Sequence, residues 1–289
     1  MANTPARILL SGFPGSGKTG SLAVLANAGW KLRILDFDGN FEVLKHHVKP
    51  DADCDLISFE DPIRMGARTM GADGVPTAFL DADRILDRWR YKNGDEWVDL
   101  GASKNWGEDT IVCLDGLTGL TQACWYRALS LTNTAAGAGD MRRVYDFAAN
   151  EELAFIRRLC AASSRHHFIC LSHLKMIGPP EIGRNDEETV KEAKRFQGEA
   201  IPTRLYPTAV GTKLAQAIAG EFPTHIRAIT DDVNGKVRRS LAYLPDVTVD
   251  LKIPASQEAI AALGKLEAAS GMLRILAALG HNPPARPEA

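Results

Sequence analysis

The chain has 289 residues, 45% hydrophobic and 24% charged, a globular balance with enough apolar side chains for a sizeable core. Its 34 basic and 36 acidic residues leave a formal charge of −2, which excludes nucleic-acid binding by bulk charge and requires a local patch for it. Five scattered cysteines without a CxxC pair fit buried thiols in a reducing compartment rather than disulfides or zinc. No apolar run reaches the roughly 18 residues of a membrane span, and the opening MANTPAR lacks a signal-peptide core, so the expectation is a cytoplasmic protein without membrane contact.

In chain order, the first apolar run, 7–11, reads as a strand, and helical spacing follows over 18–27. Between them, Gly12-Phe13-Pro14-Gly15-Ser16-Gly17-Lys18-Thr19 matches GxxxxGK[ST] in the strand–turn–helix setting that this motif needs. Glycines let backbone N–H groups turn inward around phosphate oxygens, and the helix start adds its positive dipole end. The candidate nucleotide-binding residues are Gly12, Pro14, Gly15, Ser16, Gly17, Lys18, Thr19 and Gly20. Lys18 is placed to reach the β- and γ-phosphates of ATP, and the Thr19 hydroxyl to ligate Mg²⁺. Gly20 follows where a second hydroxyl residue is common, weakening the helix start by ~1 kcal/mol.

A second strand, 32–37, runs into Asp36-Phe37-Asp38-Gly39. Residues two apart on a strand point the same way, so Asp36 and Asp38 are both expected to face the nucleotide. A strand at 56–59 and a helix at 78–92 follow, then a strand at 110–114 ending in Asp115, the form of a Walker B segment. Asp115 is expected to hold Mg²⁺ through water; the alternative is a strand merely ended by an Asp-Gly turn. Gly116 leaves no second acid beside it. Helices are expected at 119–131 and 141–164, and a strand at 167–172 leads to His173. The pairs His46-His47 and His166-His167 have no Cys or acid at ligand spacing and read as surface or strand-edge residues.

From 175 to 213 the periodicity is lost. An acidic cluster at 186–188 precedes a basic stretch, Lys191, Lys194, Arg195, Arg204 and Lys213, whose balance over 191–213 is five basic minus two acidic, or +3. Solvated lid and single-stranded DNA contact are both open for this loop. A helix at 212–219 precedes strands at 226–230 and 240–244, joined by a hairpin centred on Asn234-Gly235. Helical spacing covers 255–279, and the ending HNPPARPEA is too polar and proline-rich to stay folded. The expected fold is α/β, a mainly parallel central sheet flanked by helices on both faces with a late antiparallel hairpin. The expected divisions are a domain at 6–254, a C-terminal helix at 255–280 and a disordered tail at 281–289.

GFPGSGKT, ILDFDGN, TIVCLDGL and FICLSHL, in that order, resemble the RecA-like P-loop ATPases encoded by phages, among which are single-strand annealing recombinases. The likeness spans about 6–254. It implies that Asp38, shorter than the glutamate general in those relatives, orients the attacking water. His173 then senses the γ-phosphate and, with Lys18, completes the catalytic set. The 175–213 loop would contact single-stranded DNA, with Phe196 or Tyr206 stacking on bases. The resemblance also implies a homo-oligomer in which Lys252 of one copy completes the ATP site of the next. It points to Mg²⁺-dependent ATP hydrolysis in DNA recombination, replication or repair, in the host cytoplasm if phage-encoded. Two alternatives stay open: a nucleotide-gated assembly or loading protein with slow turnover, and a kinase using the same cradle.

Overall fold

A computed structural model describes residues 4–39, 44–65, 70–132, 140–177, 204–246 and 248–285. The chain runs β1 (Arg7–Gly12), α1 (Lys18–Asn27), β2 (Lys31–Asp36), β3 (Cys54–Ser58), β4 (Ile63–Met65), β5 (Met70–Ala72), α2 (Ala78–Asp87), β6 (Arg90–Asn93), β7 (Glu96–Asp99), β8 (Thr110–Asp115) and α3 (Leu117–Leu131). It continues through α4 (Met141–Leu159), β9 (His167–Ile177), β10 (Arg204–Pro207), α5 (Gly211–Ile218), β11 (Thr224–Val233), β12 (Lys236–Ala242), α6 (Gln257–Leu263), β13 (Leu266–Glu267) and α7 (Ala268–Ala278).

The main sheet has the order β13-β12-β11-β1-β9-β8-β2-β3, with β10 paired to β9 beyond the edge. Every pairing from β11 to β3 is parallel, whereas β12, β13 and β10 join antiparallel. Burial on both faces explains the near-continuous apolar runs of the inner strands. Alternate residues divide between two cores: Leu9, Leu35, Val112, Leu114 and Phe168 pack under α2, α3 and α4. Ile8, Leu10, Ile34, Ile111 and Ile169 pack under α1 and α7. The five cysteines are free, with Cys113, Cys124 and Cys170 buried. Among the described residues no helix is long and apolar enough to cross a membrane.

Four expectations are corrected. The helix read over 78–92 stops at Asp87, because Gly94-Asp95 makes a turn (Gly94 φ 61°) that pairs β6 with β7 as a separate hairpin. The helical stretch 255–280 is two helices: Gly264, at φ 52° and ψ −145°, breaks it, and Leu266–Glu267 pairs with Ser240 and Leu241 as the last strand of the sheet. The tail is anchored at its start, since His281 is buried and its N–H donates to the Leu276 carbonyl at 2.8 Å; residues 286–289 lie outside the described ones. His166 and His167 are buried, not surface residues. His167 Nδ1 accepts from the Ala6 N–H at 2.9 Å and Nε2 donates to the Glu108 carbonyl at 2.9 Å, while its ring meets those of Trp30 and His281 edge-on. Arg7, itself buried, donates to the carbonyls of His166 and Ser164. Helical and strand spacing cannot report these histidine and arginine contacts, because each joins residues more than fifty positions apart in sequence.

Buried titratable groups set an opposing pair of pH effects. Burial pushes His166, His167 and His225 down to about 4. The unfolded chain therefore binds more protons than the folded one from about pH 6.5 down to about 4, and stability falls across that window. Glu152 on α4 has no exposure, and burial raises it to about 7 against its bonds from the Val210 N–H and Thr121. Its protonated form fits the site, because Thr121 can send its own O–H to the Leu117 carbonyl, 2.9 Å away, and accept from the carboxyl. A raised acid makes the folded state lose stability as pH climbs from about 4.5 through about 7. Glu152→Gln keeps both bonds without a charge. Its stability relative to wild type is expected to rise across that window, by up to about 3 kcal/mol, and to level off on either side. Denaturant melts at pH 4, 6 and 8 check this; a gain independent of pH would contradict it.

Candidate phosphate-binding site

The cradle is built where β1 ends. A Cβ on Gly12 would lie 2.6 Å from Ser16 Oγ and 2.8 Å from the Ala228 carbonyl, so only glycine lets the chain leave the sheet there. Gly17 caps α1 at φ 87°, a left-handed turn that starts the helix at Lys18. Lys18 is 8% exposed; its Nζ donates to the carbonyls of Gly12 (2.9 Å) and Phe13 (3.2 Å) and lies 3.3 Å from His173 Nδ1. Burial lowers its pKa, opposed by the charges of Asp115 and Asp38. Pro14 and Gly15 are exposed at the loop crest, and Gly20 opens onto free space.

Asp115 ends β8 with 4% exposure and accepts from Thr19 Oγ1 at 3.4 Å. Burial, and then the like charges of Asp36 and Asp38, raise it to about 7 against Thr19 and Lys18. It is a desolvated carboxylate whose charge would be stabilised by a cation.

Strand order completes the site. β9 lies between β1 and β8, and its register sets His173 beside Gly12 and Leu171 beside Asp115. His173 Nε2 is 3.4 Å from Asp38 Oδ2. The Lys18 ammonium can only donate, so Nδ1 accepts from it and the ring proton sits on Nε2, aimed at Asp38. A chain of contacts thus runs Lys18, His173, Asp38. Gly116 makes room for it, since a Cβ there would collide with the Asp38 carboxylate.

Asp36 does not face the cradle, contrary to the expectation for it. Its Oδ1 accepts from the N–H groups of Asp38 (3.1 Å) and Gly39 (2.9 Å), its Oδ2 from Ser58 Oγ (3.1 Å), and it is fully buried. Its role is to fold the turn that presents Asp38. Lys252 is exposed and its backbone pairs with His225, which lies beside Leu9, three residues short of the cradle; its own chain does not bring it to the site. His173 lies inside β9, which runs on to Ile177. Lys191, Lys194, Arg195 and Phe196 lie outside the described residues. Tyr206 sits on β10 opposite Lys175, and Lys213 is exposed on α5.

One contact was absent from the sequence reading: Arg239 Nε donates to the Gly15 carbonyl at 3.0 Å. The only trace of it in the sequence is its place in a hairpin that follows β11, the strand beside β1. The residues present fit a magnesium–nucleotide phosphate. Ser16 Oγ is buried without a hydrogen-bond partner, Lys18 is a desolvated cation at the same loop, and Thr19 and Asp115 are paired oxygen donors of the kind Mg²⁺ takes.

No protein-family model matches the chain, and no curated protein does. Among solved structures, a KaiC-like protein, PH0186, from the hyperthermophilic archaeon Pyrococcus horikoshii OT3 is similar at 10% identity and a TM-score of 0.37, over 83% of this chain and 77% of that one.

Asp115→Asn keeps an acceptor for Thr19 and removes the buried charge. In magnesium-free buffer it is expected to melt above wild type at pH 8 and with no such gain at pH 4, because a carboxyl raised to about 7 weakens the fold only when it ionises. Thermal melts at the two pH values check this, and an equal gain at both would show that charge is not the cause.

Proposed function

We propose that the chain binds ATP with Mg²⁺ and hydrolyses it. The observation that carries this reading is the convergence of Lys18, Thr19, Asp115, Asp38 and His173 at one edge of the sheet. Gly12, Gly15, Ser16, Gly17 and Lys18 would hold the phosphates, with Thr19 and Asp115 on the metal and Gly20 opening toward the nucleoside. Mg²⁺ held by Thr19 and Asp115 would supply positive charge to offset that of a transferring phosphoryl group, and Lys18 would add its own as the group passes to water. Asp38 is the acceptor for the proton of that water, and the His173 Nε2–H fixes which way its carboxylate points. Fixing that direction lets His173 report the site's state along β9.

Single-stranded DNA is the effector in this reading, and recombination, replication or repair its setting. What supports it is the resemblance in sequence and the +3 balance of 191–213, in the segment that follows β9. A homo-oligomer with Lys252 acting on a neighbour's site is supported by that side chain's exposure and its distance from its own cradle. One observation favours a slower, nucleotide-gated assembly protein instead: the acid is the short Asp38, already engaged by His173.

ATP hydrolysis with and without single-stranded DNA separates these readings. Wild type is expected to turn over faster with DNA, and Lys18→Ala to lose nucleotide binding. Asp38→Asn should bind within a few-fold of wild type and lose about 10²–10⁴ in rate, the usual contribution of a general base. Normal hydrolysis by Asp38→Asn would remove Asp38 from the mechanism, and binding without turnover in wild type would favour the assembly reading.

A further inference from the structure

The cradle has two flanks. Asp38, His173 and Asp115 all lie on the side of β1 that faces β9 and β8. β11 lies on the other side, with Gly12 beside Ala228, and the hairpin register sets Arg239 of β12 opposite Thr230, two residues past that level. Arg239 therefore approaches the loop from the flank away from the hydrolytic groups. Its Nε binds the Gly15 carbonyl, and a Cβ at Gly17 would lie 2.8 Å from Arg239 Cδ, so its aliphatic stem rests on the loop's second turn. The neighbouring Arg238 pairs with Glu267, but among the described residues neither Nη atom of Arg239 has a protein partner, and the side chain is exposed. Arg239 also lines a cleft of about 510 Å³, together with Gly17, Gly20 and Val24 of the loop and α1 and Val237 of its own strand.

We infer that Arg239 is a phosphate-binding residue supplied by the same chain, which holds the nucleotide by the phosphates nearer the nucleoside rather than by the γ-phosphate. The inference rests on the ATP-binding reading above. An unpaired guanidinium moored at the rim of an anion cradle is a donor fork with an unshared charge, and phosphate oxygens are the partners such a fork matches. Its flank decides which phosphates: the γ side belongs to Lys18, His173 and Asp38, and the side toward Gly20 and the cleft belongs to the rest of the nucleotide. Arg239 then contributes equally to holding ATP and ADP and leaves the chemical step alone.

Calorimetric titration of Mg–ATP and Mg–ADP into wild type, Arg239→Ala, Arg239→Lys, Arg239→Gln and Lys18→Ala tests this, with thermal melts to confirm folding. Arg239→Ala is expected to weaken both nucleotides by about tenfold or more, raise KM by a similar factor, and leave kcat within about twofold. Lysine restores part of the affinity because it carries charge. Glutamine does not, although its amide can still reach the Gly15 carbonyl. Unchanged affinity in Arg239→Ala, a loss confined to ATP, or rescue by glutamine as good as by lysine would each overturn the inference while leaving the ATP reading intact. Failure of wild type to bind either nucleotide would instead overturn the ATP reading, and this inference with it.

Discussion

Parallel strands all end at the same edge of a sheet, so whatever polar residues close them are collected there whatever their distance in sequence. In this chain that constraint gathers the ends of β1, β2 and β8, which are Gly12, Asp36 and Asp115, at the level where β9, running on to Ile177, carries Ser172 and His173. Everything at the site follows from it. The cradle needs a strand stopping at glycine; Asp115 needs a strand stopping two places away; and the imidazole needs one inserted between them. The helices on both faces are what make the arrangement rigid, because each inner strand is gripped through alternate residues by two separate cores.

That edge concentrates like charge. Asp38 and Asp115 lie close to Lys18 with Asp36 behind them, and the like charges of Asp36 and Asp38 add to burial in raising Asp115, as that of Asp38 does for Asp36. The protein separates them by giving each a different partner. Asp36 is saturated by backbone N–H groups and Ser58, Asp38 faces His173, and the Asp115 carboxylate has, among the described residues, only the Thr19 hydroxyl at 3.4 Å. The least satisfied of the three is the one beside Thr19, which is where a divalent cation would be stabilised most.

The glycine-rich loop, the inner strands and the exits at Asp38 and Asp115 are legible in the sequence because they depend on local rules: motif spacing, two-sided burial and turn chemistry. Asp36 misled for an equally local reason. Alternation along a strand says nothing about the turn that follows, where a buried aspartate is worth more as a cap than as a catalyst. Gly116, which reads as a missing second acid, is the space into which Asp38 fits. Strand order is not local, so nothing in the segment around His173 tells that it lands beside Gly12, nor in the hairpin that Arg239 arrives on the opposite flank. The C-terminal segment shows the same limit: its helical spacing is genuine on both sides of Gly264, yet the break and the return to the sheet at Leu266 depend on the open edge of β12.

The histidines buried at the opposite end of the sheet give the molecule an optical handle. Trp30 stands edge-on to His167 with ring centres 5.0 Å apart, and Trp106 lies 6.3 Å from His166. A protonated imidazole quenches indole emission at such range, and these rings stay neutral only while buried. The emission of Trp30 and Trp106, two of the five tryptophans, is therefore placed to report the loosening of that end of the sheet in acid, at the end away from Lys18 and Asp115.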